Sequence, residues 1–394
     1  MHTRKLYLYG HHDWALILTF LLYVQTAIVF SAIGVAWIDL LKVLNISYTL
    51  LGIISVIGAG LSMVSMMIGG SLVSHFGARR TMIAFAPILF LSHMALALVP
   101  STLTLVFVNI GWGFGFGALI VACTTVVIDW ERERRKRVID PFQASWNIAS
   151  IGGALLGGWL LSNGWDFKQI MWLAVATSVP LWIILLFSQI PSSGIVEESG
   201  NPLESLRVLR LNRSLTILAG IIIVITFAQN IGVTWSPIYL DTLGADPFIS
   251  GVGLAAFQGA TALFRLINGI LVRFFGDKIV LWSGSIGVII AGLMLFMSRD
   301  QYIVLGAFVL LGAAVAGAQP TAIALGVRLM PTRTALVSAG ILAVGEVGFV
   351  ISTPILGWVG DLASLQYSLS LALPCGIIAL LLVFGIRSTP KPTS

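Results

Sequence analysis

Two ionisable side chains, Arg265 and Glu346, stand inside apolar runs long enough to cross a membrane. A charge at the centre of a membrane helix costs about 2.5 to 3.5 kcal/mol on insertion scales, so it is tolerated mainly where it faces a cavity or a partner. Gln258, Thr261 and Asn268 lie at −7, −4 and +3 from Arg265, which places all four on one helical face. A polar stripe on a membrane helix points inward. In one reading the planar donors of Arg265 grip a carboxylate on a bound anion; in the other Arg265 is structural, paired with Glu346 or capping carbonyls. Glu346 has two matching readings. It carries a coupled proton, switched by substrate or conformation, or it is the permanent partner of Arg265.

Further polar groups within the apolar runs are Gln25, Gln143, Trp146, Asn147, Gln229, Asn230, Trp235 and Gln319. An amide in such a place joins helices more often than it holds a ligand. Trp112 and Trp235 could stack on a ring-bearing solute, although many of the 12 tryptophans are expected in the interfacial belts. His93 reads as a packing residue. None of G-x-x-x-x-G-K-[ST], H-E-x-x-H, G-x-S-x-G or C-x-x-C occurs. The chain is therefore read as a non-enzyme with no cofactor or metal, driven by an ion gradient or by its substrate's own gradient.

Composition fixes the setting of these residues. Of 394 residues, 58% are apolar and 10% charged, against about 25% charge in soluble domains. Sparse charge and the presence of only Cys123 and Cys375 exclude a disordered chain, a nucleic-acid partner and a disulfide scaffold. A spanning helix needs about 20 apolar residues, and twelve such runs fall near 14–38, 48–73, 82–99, 102–127, 140–162, 168–188, 214–240, 248–272, 279–298, 302–328, 336–359 and 366–386. With the N-terminus in the cytoplasm, 18 of the 22 Lys and Arg residues fall on the cytoplasmic side, so both termini are expected there. No signal peptide is read in the polar segment Met1 to Asp13. The run from Asp129 to Asp140, DWERERRKRVID, reads as a cytoplasmic loop meeting lipid headgroups. Asp39 and Asp241 read as external-loop charges. Gly111, Gly113, Gly115 and Gly117 read as one narrow strip for close helix packing.

The longest polar stretch divides the runs six and six, giving a first bundle at 1–190, a linker at 191–213 and a second bundle at 214–394. The halves repeat. Gly70-Ser-Leu-Val-Ser-His-Phe-Gly77 recurs as Gly269-Ile-Leu-Val-Arg-Phe-Phe-Gly276, and Gly157-Gly158-Trp159 aligns with Gly357-Trp358. Duplicated six-helix halves are a transporter plan.

On these residues the chain resembles the major facilitator superfamily. GGSLVSHFGARR is similar to that family's loop motif G-x-x-x-D-R-x-G-R-R: Gly70, Gly77, Arg79 and Arg80 match, while Ser74 and His75 replace the Asp and Arg. The resemblance implies an all-α membrane fold of twelve helices in two pseudo-symmetric bundles, with this loop gating one side. Asn109 replaces the Arg, and Ala154 the Pro, of motifs that the family's drug/proton antiporters carry. The leading expectation is a secondary active transporter of a small polar or anionic organic solute, working by alternating access as a monomer in the plasma or inner membrane, with H+ as the candidate coupling ion and lipids as its surroundings. The alternatives are an exporter of amphipathic or cationic compounds, with Glu346 as countercharge, and a non-transporting assembly factor or sensor.

Overall fold

The computed structural model describes residues 2–136, 138–190 and 202–386. Residues 191–201 of the expected linker, Arg137, and the cations Arg387 and Lys391 lie outside the described residues, as do the side chains of Arg4 and Lys5.

Helices alone form the described chain, because hydrocarbon offers no partner for a bare N–H or C=O and a helix satisfies its own. They pack into two units. The first comprises Met1–Ile46 and Ile53–Glu197, and the second Ser47–Gly52 and Glu198–Ser394. In chain order the first six helices are α1 (His2–Leu44), α2 (Tyr48–Phe76), α3 (Ala78–Leu98), α4 (Thr102–Arg134), α5 (Ile139–Ser162) and α6 (Phe167–Phe187). A short α7 (Pro202–Leu209) follows, then α8 (Arg213–Asn230), which runs through a π-helical turn at Ile231–Trp235 into α9 (Ser236–Thr242). The remaining helices are α10 (Pro247–Phe275), α11 (Asp277–Met297), α12 (Gln301–Ala316), α13 (Ala318–Leu329), α14 (Thr334–Leu362), α15 (Leu365–Leu369) and α16 (Ala372–Phe384).

Eleven stretches among the described residues are long and apolar enough to cross a membrane. The expected fifth span is also a helix, α5, of 24 residues. Asp140, Gln143 and Asn147 in its first half make it more polar than the others.

Helix ends follow the sequence closely. Asp166 and Gln169 form a capping box at α6, Asp246 with Pro247 starts α10, and the Asp300 carboxylate accepts from Tyr302 N and Ile303 N at α12. Each satisfies donors that a helix leaves open. Gly77 (φ 82°) and Gly276 (φ 83°) turn α2 into α3 and α10 into α11. That left-handed backbone favours glycine, which explains the repeated Gly in both copies of the loop motif.

Close approach explains another set. A methyl group at Gly113 or Gly117 would overlap the Gly58 or Ser62 carbonyl of α2, and one at Gly153 would overlap the Ile28 carbonyl of α1. Gly111 and Gly115 instead face Ser92, Ile88 and Phe85 of α3. The expected single strip is therefore two faces. A period of two advances about 200° around a helix of 3.6 residues per turn, so alternate glycines meet different neighbours.

In the first unit α1 packs on α4, α5 and α6, and α3 on α4 and α6. Leu18, Leu22, Met82, Leu119, Val126, Phe142 and Leu185 share its core. In the second unit α8 packs on α13, α14 and α16, and α10 on α12 and α13. The first turn of α2 groups with this second unit: the Asp361 carboxylate at the end of α14 accepts from Tyr48 N at 3.0 Å and Thr49 N at 2.8 Å. A carboxylate on open helix N–H groups also meets the positive end of the dipole. Asp361→Ala is expected to lower stability by about 1 kcal/mol, in the range of a lost N-cap, and Asp361→Asn by less; melting curves of the purified variants check both.

Candidate functional site

Charged and amide groups at membrane depth divide into those spent on the fold and those left over. Gln25 is spent: its Nε2 donates to Ser178 Oγ at 2.7 Å and Thr177 Oγ1 at 3.2 Å, tying α1 to α6. So is Asn230, fully buried, whose Nδ2 donates to Ser352 Oγ and Thr353 Oγ1 at 2.7 Å each while its Oδ1 accepts from Thr234. Within the Arg265 stripe, Thr261 Oγ1 donates to the Phe257 and Gly312 carbonyls, and Asn268 Nδ2 to Thr321 Oγ1 at 3.2 Å. These bonds turn that face of α10 toward α12 and α13. Gln258 is buried there as well.

Arg265 remains. Its Nε is buried without a hydrogen-bond partner, and no ion pair joins it to Glu346 among the described residues. Leu263 and Leu266 beside it are 57% and 75% exposed, as expected of side chains that meet hydrocarbon. Glu346 on α14 is exposed and has no hydrogen bond or ion pair among the described residues. Gln319 on α13 is half-buried, its Nε2 beside Gly345. Because α10 and α14 both pack on α13, Gln319 sits on the helix they share. Gln229 is half-buried on α8.

Trp235 does not have an open ring face. It is fully buried in the π-helical turn, edge-on to Tyr48 at 5.9 Å, and its indole N–H has no hydrogen-bond partner among the described residues. His93 is buried, as packing residues are.

In the first unit Trp146 belongs to an aromatic array that single-helix patterning does not reveal. Tyr23 stacks on Phe142 with centroids 4.0 Å apart and meets Trp146 at 5.0 Å. Trp112 stacks on Phe116 at 4.7 Å and on Phe30 at 5.4 Å, and Trp146 lies tilted against Phe30 at 6.0 Å and Phe116 at 5.6 Å. The rings come from α1, α4 and α5, and all but Phe142 are only half-buried. Asn147, next to Trp146, is half-buried with no hydrogen bond among the described residues.

The loop motif has a local explanation. Arg79 Nε donates to the Ser188 carbonyl at 2.5 Å and its Nη2 to the Leu186 carbonyl at 2.6 Å, so it closes the end of α6, where a cation also suits the dipole. Its repeat mate Lys278 donates from Nζ to the Ile386 carbonyl at 3.3 Å, just beyond α16. Arg80 is exposed and Gly70 half-buried. Ser74, at the usual Asp position, bonds among the described residues only to Ser71 O and His75 beside it. Other charges act locally too: Asp39 accepts from Phe167 N at 2.9 Å, capping α6 rather than standing free in a loop, and Glu131 caps α5 through Val138 N and Ile139 N. Asp277 pairs with Arg328.

The family model of the Major Facilitator Superfamily matches residues 16–260 and 240–394. The chain belongs to that superfamily and is a multi-pass membrane transporter, not an enzyme. Among solved structures it is similar to the nucleoside transporter NupG at 13% identity and TM-score 0.77, covering 95% of this chain and 98% of that one. It is also similar to a bacterial homolog of the human lysosomal transporter Spinster, inward-facing and unoccupied, at 15% identity and TM-score 0.77, covering 97% and 99%. No curated protein matches the chain.

Arg79→Ala is expected to cost about 1 to 2 kcal/mol, since it removes two charge-assisted hydrogen bonds at a half-exposed site. Arg79→Lys should restore part of that. Midpoints of thermal unfolding in detergent provide the comparison, and equal midpoints for all three proteins would exclude a capping role.

Proposed function

We propose that the protein is a secondary active transporter of a small organic solute, polar or anionic, working by alternating access, with Arg265 engaging the solute's negative group. One observation carries this reading: a guanidinium at membrane depth has a buried Nε without a partner and no carboxylate paired with it among the described residues. A charge there is retained at a cost of a few kcal/mol, and a bound carboxylate or phosphate would supply what the fold leaves open. Among the described residues Glu346 has no ion pair either, which supports this reading over a permanent Arg265–Glu346 pair. We infer further that Glu346 carries the coupled proton, that the bundles are 1–190 and 214–394 joined by 191–213, and that both termini face the cytoplasm of a plasma or inner membrane, where the transporter acts as a monomer among lipids.

A second reading, export of cationic amphipathic compounds, draws on the same exposed Glu346 carboxylate as countercharge. Binding measurements separate the two. In a thermal-shift screen of carboxylates, sugars, nucleosides and hydrophobic cations, Arg265→Ala is expected to weaken a stabilising carboxylate about tenfold or more, the scale of a lost charge-assisted bond, and a neutral solute far less. Stabilisation by hydrophobic cations alone, unchanged in Arg265→Ala, would replace the first reading with the second.

Glu346→Gln is expected to leave counterflow in liposomes intact while abolishing accumulation driven by a pH gradient. Full pH-driven accumulation by Glu346→Gln would remove Glu346 from the coupling step.

A further inference from the structure

We propose that Gln258 is a second anchor for the solute and that the solute is an elongated, two-ended molecule. Its acidic group meets Arg265, its middle is apolar, and an amide, carbonyl or hydroxyl group about two helical turns away meets Gln258. This substrate class rests on the reading that Arg265 engages the solute's negative group.

The polar stripe of α10 divides into two rows. Seven residues of helix return to within about 20° of the same line, so Gln258 aligns with Arg265 and Thr261 with Asn268, the rows lying about 50° apart. The Thr261 row is spent on the fold: Thr261 Oγ1 donates to the Gly312 carbonyl of α12, and Asn268 Nδ2 to Thr321 Oγ1 of α13. The other row is not. Gln258 is only 8% exposed, yet neither its amide nor the Arg265 guanidinium makes a hydrogen bond among the described residues. Arg265 Nε is sealed; the Gln258 amide and the Arg265 Nη atoms are unpartnered without being sealed, so each retains accessible surface. Buried amides almost always find a partner, and two open groups on one line call for one bound molecule or for water.

The duplicated half shows that packing does not demand these side chains. An offset of 199 aligns Gly70 and Gly77 with Gly269 and Gly276. At that same offset Gly113 rests on the Gly58 carbonyl, joining α4 to α2, and Gly312 on the Phe257 carbonyl, joining α12 to α10. Gln258 and Arg265 then correspond to Ala59 and Met66. The same helix contact is therefore built in the first unit with apolar residues at both positions.

Depth and room agree with a bound solute. Gln258 stands eleven residues into the span that begins at Pro247, about 16 Å of rise and half the hydrocarbon thickness, where an amide does not face acyl chains without a partner. Between Gln258 and Arg265 the same side of α10 carries the short, half-buried Ala262, and a methyl group added at Gly269, one turn beyond Arg265, meets no atom within 4 Å. Both polar side chains lean toward the helix N-terminus, and the longer Arg265 closes a little of the gap, so roughly 8 to 10 Å separates the two ends of a solute that reaches both. A short anion reaches Arg265 alone. A long one with an apolar tail leaves the Gln258 amide unsatisfied, which a site with a buried polar group penalises.

The test titrates the full-length protein in detergent with three monoanions and reads apparent affinity from melting-temperature shifts. Suberate monoamide carries an amide at its far end, octanoate has the same chain length without it, and succinate monoamide has the amide on too short a chain. Suberate monoamide is expected to bind about fivefold to tenfold more tightly than either of the others, and Gln258→Leu, which keeps the volume, should bring it down to the level of octanoate. Gln258→Ala, with the residue type that the first half carries, gives the same comparison if Gln258→Leu does not yield folded protein. Suberate monoamide binding no tighter than octanoate or succinate monoamide, or a preference for it that survives in the folded variants, would overturn the second anchor. Arg265→Ala in parallel separates the two proposals. Equal binding of suberate monoamide and octanoate, lost in Arg265→Ala, removes the Gln258 anchor and keeps the anion reading; carboxylate binding that is absent altogether, or indifferent to Arg265→Ala, removes both.

Discussion

Hydrocarbon offers a polar group nothing, and the structure is organised around that fact. The backbone answers with helices, and the helices come close where glycine lets one backbone rest on another, as at Gly113 on Gly58 and Gly153 on Ile28. Near contact of this kind takes the place of the water-driven burial that is absent between helices in lipid. Polar side chains obey the same rule: Gln25, Asn230, Thr261 and Asn268 are each consumed by a neighbouring helix. Against that background a few side chains stand out because the fold does not satisfy them. Arg265 and Glu346 carry the functional argument for this reason.

Much of the fold was legible in the sequence because hydropathy and charge are properties of segments. The spans, the repeat and the glycine that closes each copy of the loop motif needed no knowledge of neighbours. Side-chain assignments needed it, and there the reading was uneven. Gln25 and Asn230 read as amides that join helices more often than they hold a ligand, but which groups they join, 153 and 122 residues away, is invisible to local pattern. Trp235 read as a residue that could stack on a ring or sit in an interfacial belt, and it lies fully buried at a π-helical turn that a 3.6-residue pattern does not reveal. The glycines at period two read as one strip by spacing alone, whereas a turn of 3.6 residues sets alternate ones on different faces. Asp39 seemed a loop charge for want of knowing that the start of α6 lies beside it.

The candidate site shows the same division. Arg265 and Glu346 stood out from sequence, since a charge in a long apolar run needs no tertiary information to be conspicuous. The aromatic array did not, because Tyr23, Phe30 and Phe116 are ordinary residues for membrane helices and gain significance only when α1, α4 and α5 bring them within 6.0 Å of Trp146 and Trp112.

The paired cations at the ends of α6 and α16 bear on the order in which the protein is made. Arg79 binds carbonyls of residues 107 and 109 positions further along the chain, and Lys278 one 108 positions along. A ribosome releases the third helix of each half well before the last, so for that interval each cation has no carbonyl to hold. Arrival of the sixth helix supplies it. In each half the contact is made within that half alone, so it can form as soon as that half's last helix is synthesised.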